Sequence, residues 1–311
     1  MTFYKNNNSA IFYSSVNEIT QEVWTELQCS ASVYFHPDYL ISLEKNNPQI
    51  TFSYLVLFNK ENHAIAFASI QIILFPLEQI ESSLNKNFHR LKCFGRQLGL
   101  FPKLKPIKLL VCGNVFVSGE HGIFIKENQN KQEVIKNLIK AVSSQPPAKD
   151  ISIYLIKDFI KDSLVVSNEL HDLNYYSFNV EPNMALYLDT NWKSLSDYLG
   201  AMKTKFRVKA NRALKLSTPL VVKESTVENI QKMLPEIAQL YKTVSDKAEF
   251  NLGKFNVETY LSLKRNLGDN CVLKTYWYHD KIVGFMSGII NTVSLDAHFV
   301  GIDYSLNKEL A

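Results

Sequence analysis

Apolar residues fall into blocks with two different periods along the chain. Trp24, Leu27, Tyr39, Leu40 and Leu43 recur at helical spacing over 20–45. That pattern breaks at His36-Pro37, where Pro37 suits the first turn of a second helix. Two apolar, partly alternating runs follow, 51–58 and 64–74, joined by Asn59-Lys60-Glu61-Asn62 and read as a hairpin. After an irregular stretch over 76–106, the pattern predicts a strand over 107–112, a loop containing Gly113, Gly119 and Gly122, a helix over 131–144 and a strand over 151–156. Further strand-like material ends at 184–188. Next comes one continuous helix from an N-cap at Ser194, with Asp197 as its acidic capping partner, to Leu216. A strand over 220–223, helices over 227–246 and 257–267, strands over 271–278 and 281–290 around a tight turn at His279-Asp280, and a last strand over 295–300 complete the reading.

Helices followed by an antiparallel hairpin occur in both halves. Ala64-Ile-Ala-Phe67-Ala-Ser69 aligns with Ile282-Val-Gly-Phe285-Met-Ser287, each on the second strand of its hairpin, which points to an internal duplication. On that reading, 1–189 is a first domain and 190–311 a second, with 194–216 as a connecting helix. The first half continues past its hairpin through a strand, a helix and more strands, whereas the second stops soon after the equivalent strand. The expectation is an open sheet with an exposed edge and a half-covered face, lacking roughly 70–100 residues of a full domain.

Composition narrows the classes. The chain has 311 residues, 46% hydrophobic and 21% charged, enough for one large domain or two smaller ones. Its 11 glycines are about half of average usage, and neither GxGxxG nor GxxxxGK[ST] occurs, which disfavours Rossmann and P-loop nucleotide folds. Cys29, Cys93, Cys112 and Cys271 are scattered without a CxxC, as expected of reduced thiols in a cytoplasmic protein. The seven histidines show no HExxH, and His89 with Cys93 lacks a second ligand pair, so no metal site is expected. A GxSxG elbow is also missing. The first 14 residues have no apolar run of signal-peptide type, and the longest apolar stretch, 64–75, is too short to span a bilayer.

Charge changes the picture more. The net charge is +4, yet 82–119 and 198–223 contain seven cations each and no acid, so the rest of the chain carries −10. An acidic body with two basic segments suggests a phosphate-bearing ligand such as tRNA, a nucleotide-sugar or coenzyme A. The first segment interleaves Lys86, Arg90, Lys92, Arg96, Lys103, Lys105 and Lys108 with Phe88, Phe94 and Phe101, a mix compatible with base stacking as well as with a surface loop. In the second, helical geometry puts Leu199, Met202, Phe206, Ala210, Ala213 and Leu214 on one arc, expected to pack inward. Lys205, Lys209 and Arg212 lie opposite, and Lys203 and Arg207 stand at the margin. Near the end of the last strand, Asp296, His298, Asp303 and Tyr304 offer candidate acid–base groups: a carboxylate or imidazole there could deprotonate an amine, and a tyrosine could donate a proton. Gly119-Glu120-His121-Gly122 makes turns and could also hold a ligand.

The order strand, two helices, hairpin, strand in the second half resembles the start of a GNAT (Gcn5-related N-acetyltransferase) fold. Trp192-Lys-Ser-Leu-Ser-Asp-Tyr198-Leu with Lys205-Phe-Arg207 and Arg212 resembles the FemAB-like/BioF2-like acyltransferases with tandem GNAT-like domains. So does Ile282-Val-Gly-Phe285 followed by Ala297-His298-Phe-Val-Gly301-Ile-Asp303-Tyr304 and Asn307. Cys112-Gly113-Asn114 with the 119–122 loop is similar to the first domain of bacterial members. The resemblance covers about Val23 to the end. It implies an α/β class with mixed sheets in two tandem GNAT-like domains, the second incomplete. It also implies transfer of an acyl or aminoacyl group, from acyl-CoA or aminoacyl-tRNA, to an amine of a cell-wall precursor such as a peptidoglycan building block, or to a polysaccharide sugar. A splayed cleft beside the fourth strand would hold the acyl group. Asp303, His298 and Tyr304 would then serve the chemistry, and Lys203, Lys205, Arg207, Arg212 and Asn307 the substrate or its phosphates. The rival expectations are a non-catalytic tRNA-binding module and a degenerate GNAT-like protein.

Overall fold

The computed structural model describes residues 9–77, 105–179, 183–248 and 251–310. The first mixed sheet is built from β1 (Ser9–Tyr13), β2 (Thr51–Phe58), β3 (Ala64–Phe75), β4 (Ile107–Cys112) and β6 (Ile153–Ile156) in that spatial order, with β5 (Ile123–Ile125) also on β3. All its pairs are antiparallel except β4 with β6. On one face pack α1 (Gln21–Leu27) and α2 (Pro37–Asn46); on the other, α3 (Lys131–Ser144) inserts Val134, Ile135, Leu138, Ile139 and Val142 against Leu55, Leu57, Ile70 and Leu110. Burial on both faces explains why β3 reads as a continuous apolar run rather than an alternation. A one-turn helix α4 (Leu164–Ser167) follows.

The second sheet is wholly antiparallel, in the order β10 (Ser294–Ile302), β9 (Lys281–Asn291), β8 (Cys271–Tyr278), β7 (Val221–Glu224). Its helices are α5 (Leu195–Ala201), α6 (Thr204–Leu216), α7 (Val227–Ser245), α8 (Thr259–Leu267) and the terminal turn α9 (Asn307–Leu310). His279 and Asp280 both take left-handed backbone angles, the geometry of a two-residue hairpin turn. The helices α7 and α8 cover one face. The other lines an open groove with Val222, Val272, Tyr276, Met286 and Leu295.

The two halves share one core. Trp24, Tyr34, Tyr39, Phe67 and Phe116 belong to the same buried cluster as Ile230, Tyr260, Leu263 and Phe285. The seam between them is lined with asparagines. Asn46 Nδ2 donates to Ser262 Oγ at 2.8 Å, and Asn266 Nδ2 donates to Ser42 Oγ at 3.0 Å. The bonds are reciprocal because α2 and α8 carry the same pattern, Ser42-Leu43-x-x-Asn46 and Ser262-Leu263-x-x-Asn266. Fully buried Asn47 bonds Thr259 Oγ1 and accepts the Asn256 N–H, while Asn291 Oδ1 accepts the Val33 N–H.

Several expectations are corrected. The helix predicted over 194–216 is two helices, because Met202 and Lys203 are extended and the Arg207 guanidinium caps the Gly200 and Met202 carbonyls at 3.0 and 3.4 Å. Its apolar arc does not pack inward: α6 has no buried residue, Phe206 is 55% exposed, and α6 lies against α5 and α9. The strand-like 184–188 finds no partner strand among the described residues, and Met184 and Tyr187 stand almost fully exposed. Conversely β1, within a stretch that lacks a long apolar run, forms by pairing along its whole length with residues 54–58 of β2. Lys86, Arg90, Lys92, Arg96, Lys103, the three phenylalanines among them, His89 and Cys93 lie outside the described residues. Among the described residues, no helix is long and apolar enough to cross a membrane. Cys29, Cys112 and Cys271 are free and buried, which pushes each thiol up to about 12.

Candidate functional site

In both halves the fourth strand is interrupted at the same place. In the first, β4 pairs with β3 up to Cys112 opposite Ile70, and β5 resumes with Ile123 opposite Ala68. The chain between leaves and returns opposite Ser69: the Gly113 N–H donates to Ser69 O at 3.1 Å, and the Ser69 N–H donates to Gly122 O at 2.8 Å. Closing this loop demands glycine, since a Cβ at Gly122 would lie 2.5 Å from Gly113 Cα. In the second half, Ala297 opposes Gly288 and Val300 opposes Met286, leaving His298 and Phe299 as a bulge opposite Ser287. Ser69 and Ser287 are the residues aligned in the internal repeat. A break in a strand is where side chains can be re-aimed, and both breaks bear on the seam.

The loop from Gly113 to Gly122 is stapled down. Gly119 N–H donates to Asp158 Oδ2 at 3.0 Å, Lys157 Nζ donates to Val117 O at 2.7 Å and pairs with Asp158, and Ile160 N–H donates to Glu120 Oε1 at 3.1 Å. Asn114 Nδ2 donates to the buried Tyr39 hydroxyl at 2.9 Å. His121 lies flat on Tyr34, with ring centroids 3.7 Å apart and planes 25° apart. Tyr34 donates its hydroxyl to Asp296 Oδ2 on β10 at 2.6 Å, so an imidazole of one half and a carboxylate of the other meet across one phenol. Burial depresses the His121 pKa against the opposing pull of Asp296, which keeps the ring neutral at pH 7. Tyr34 is raised by burial and then by its bond to Asp296, so it stays protonated. His121 and Asp296 are only half-buried, and Asp296 makes no ion pair among the described residues.

His298 is held differently. Phe299 N–H donates to Ser287 Oγ at 2.9 Å, and Ser287 donates its own proton to Phe299 O at 3.0 Å. The Tyr260 hydroxyl, 2.7 Å from Ser287 Oγ, must therefore be the donor in that pair. Tyr260 oxygen is then free to accept from His298 Nδ1 at 3.4 Å, which assigns the proton to Nδ1 and leaves Nε2 an unprotonated nitrogen. Nε2 is sealed from solvent and has no partner among the described residues. Burial pushes the His298 pKa down to about 3. Such an imidazole is neutral at any physiological pH and a weak base.

The remaining predicted residues do not join this cluster. Asp303 caps the turn Tyr304–Leu306, accepting from Ser305 N–H at 3.1 Å and Ser305 Oγ at 2.6 Å, with Lys281 at 3.4 Å; the Ser305 bonds hold its carboxyl below the usual range. The Tyr304 ring lies under Lys247 Nζ, 3.2 Å from the centroid, and Asn307 begins α9 at the surface. Lys203, Lys205, Lys209 and Arg212 are exposed on or next to α6 without a carboxylate partner among the described residues, while Arg207 is spent on capping α5. In the first half, β4 and β6 remain paired from Leu109 with Ile153 to Cys112 with Ile156, so no splay opens along that register. Among the described residues no group of three or more His, Cys, Asp or Glu side chains could hold a metal ion. Tyr34 escaped the sequence reading because nothing near it in the chain marks it; its partner is 262 residues away.

No protein-family model matches this chain, and no curated protein matches its sequence. The structure is similar to that of a conserved protein of unknown function from Bacteroides thetaiotaomicron, with 14% identity, a TM-score of 0.45 and coverage of 96% of this chain and 82% of that one. It is similar to FemX at 14% identity and a TM-score of 0.44, over 84% of this chain and 57% of FemX. An aminoglycoside antibiotic 6'-N-acetyltransferase from Acinetobacter baumannii aligns at 14% identity and a TM-score of 0.32, over 60% of this chain and 99% of that one. Likenesses of this size assign neither family nor activity, and function has to be argued from the site.

Proposed function

We propose that the chain is an N-acyltransferase of the GNAT or Fem type, moving an acyl or aminoacyl group from acyl-CoA or aminoacyl-tRNA to an amine. The observation that carries this reading is the neutral His121 stacked on Tyr34, whose hydroxyl is locked to Asp296 beside the interrupted fourth strands. A primary amine arrives as an ammonium ion and must lose a proton before it attacks. Asp296 attracts the ammonium, and His121 takes its proton. The amine nitrogen then bonds to the acyl carbon, the carbonyl electrons move to oxygen, and their return expels the thiolate of coenzyme A or the ribose oxygen of tRNA. The attacking nitrogen, left with two hydrogens and a positive charge, gives its second proton to solvent as the carbonyl re-forms. The leaving group recovers the first proton from His121, so that a neutral amide and a neutral thiol or ribose hydroxyl result. On this reading Lys203, Lys205 and Arg212 meet the donor phosphates and Asn307 is a further substrate contact. On this reading His298, Asp303 and Tyr304 position the bulge and the strand end rather than touch the reacting atoms.

The test is thiol release from acetyl-CoA and longer acyl-CoA donors with a panel of primary amines, alongside transfer from aminoacyl-tRNA to the same amines. At least one donor is expected to support turnover that drops at least a hundredfold in His121→Gln. Turnover unaffected by that change removes the base. Absence of amine-dependent transfer from every donor removes the reading. Tight, salt-sensitive tRNA binding without transfer would favour the binding-module alternative, which the unpaired cations on α6 support.

A further inference from the structure

A cleft of about 260 Å³ lies between the edge strand β7 and the first turns of α7, and none of its lining residues is among those assigned to acyl transfer. Its walls include Lys223, Ser225, Asn229, Lys232 and Trp277. Ser225 is 1% exposed, and its hydroxyl has no hydrogen-bond partner among the described residues. Its N–H is already used, donating to Leu273 O at 2.9 Å, so the side chain alone is left over. A buried hydroxyl without a partner is uncommon and calls for an explanation.

The surroundings supply one. Lys223, the last cation of the acid-free segment over 198–223, holds its ammonium 4.1 Å from the centroid of the Trp277 ring. Trp277 is fixed by its Nε1–H, which donates to Thr275 Oγ1 at 2.9 Å. Neither Lys223 nor Lys232 makes an ion pair among the described residues, and Glu224 on the same wall stands 3.9 Å from Lys274. The helix end is not the attraction here. Thr226 Oγ1 already accepts the Asn229 N–H at 3.3 Å, and the Glu228 carboxyl is held low by its own N–H and the Thr226 hydroxyl. What remains available is two ammonium groups, an amide and a buried hydroxyl around an aromatic floor.

We infer that this cleft binds a phosphate monoester. Its phosphate oxygens accept from Ser225, Lys232 and Asn229, and its apolar body lies on Trp277 as Lys223 swings off the ring to join the phosphate. The site does not depend on the acyl-transfer reading. The probe is phenyl phosphate on the full chain at fixed ionic strength, with inorganic phosphate and benzoate alongside, read by thermal shift and by quenching of tryptophan fluorescence. Phenyl phosphate is expected to raise the melting temperature and to bind at least tenfold more tightly than either comparison ligand. Ser225→Ala should melt at or above the wild type without ligand, because it removes only the unpartnered hydroxyl, and should bind phenyl phosphate at least fivefold more weakly. Lys232→Gln should also weaken it at least fivefold. The proposal fails if phenyl phosphate does no more than sodium chloride, if benzoate binds as tightly, or if both variants bind like the wild type.

Discussion

The two fourth strands make an instructive pair. Both break opposite an aligned serine, Ser69 or Ser287, and both resume two residues further along the neighbouring strand, opposite Ala68 and Met286. The first break extrudes the whole loop from Gly113 to Gly122, while the second extrudes only His298 and Phe299. The longer excursion has room to be stapled by Lys157 and Asp158 and to present His121 at a partly open surface. The shorter one has nowhere to go but inward, and its histidine ends in a sealed slot against Phe255, Tyr260 and Phe299. A common frame thus gives one imidazole at a partly open surface and one packed inward, and the length of the excursion decides which is which.

The strongest challenge to this picture is to its premise that the halves form one body. Phe285, 2% exposed, sits in the core that both halves share, and truncation to alanine should cost about 3–5 kcal/mol. Because the cluster is common, thermal and urea melts should still show one transition, shifted down. Separate transitions, with the first half unaffected, would mean that the seam is a loose contact.

The two histidines can next be separated by pH. Native His298 titrates at about 3 against an unfolded value near 6.5. Below about pH 6.5 the unfolded chain takes up a proton that the native chain refuses, so stability from this group is lost as pH falls, by about 1.4 kcal/mol per unit until pH approaches 3. Urea melts at pH 7 and pH 5 should therefore differ by roughly 2 kcal/mol more in the wild type than in His298→Phe. Equal pH responses would mean that His298 is solvated and not sealed.

A smaller effect sharpens the symmetry itself. Asn46→Ala and Asn266→Ala each remove one of two reciprocal bonds, and each should cost about 1 kcal/mol. Markedly unequal costs in denaturant melts would show that the helices share a sequence pattern without sharing an environment.

Much of the fold was legible from periodicity where an element's own residues decide it. The helix over 131–144 and the strands over 51–58, 107–112 and 271–278 fall where the pattern puts them. Each presents a strong apolar face or a fully apolar run. Elements that need a distant partner were not legible: β1 exists through β2 and β5 through β3, and the break between α5 and α6 depends on where the Arg207 guanidinium folds. The basic helix misled for a related reason, since an apolar arc signals packing only if something is there to receive it. The candidate site was half legible. Asp296 is among the acid–base groups near the end of the last strand, but the residues that the sequence puts forward there are Asp303, His298 and Tyr304, and His121 reads as part of a turn-forming loop. The meeting of His121 and Asp296 at Tyr34 is a property of the seam, which no local window contains.

The shared core also sets a schedule for synthesis. Trp24, Tyr34, Tyr39 and Phe67 are buried partly by side chains that lie more than 160 residues downstream, as far as Ile289. A chain emerging at about 5–20 residues per second would expose that face for roughly 10 s or more after its own strands had left the ribosome. The α3 side, closed by local partners alone, would be finished long before. The apolar face waiting for the second half is therefore the surface on which a nascent-chain chaperone would be expected to act.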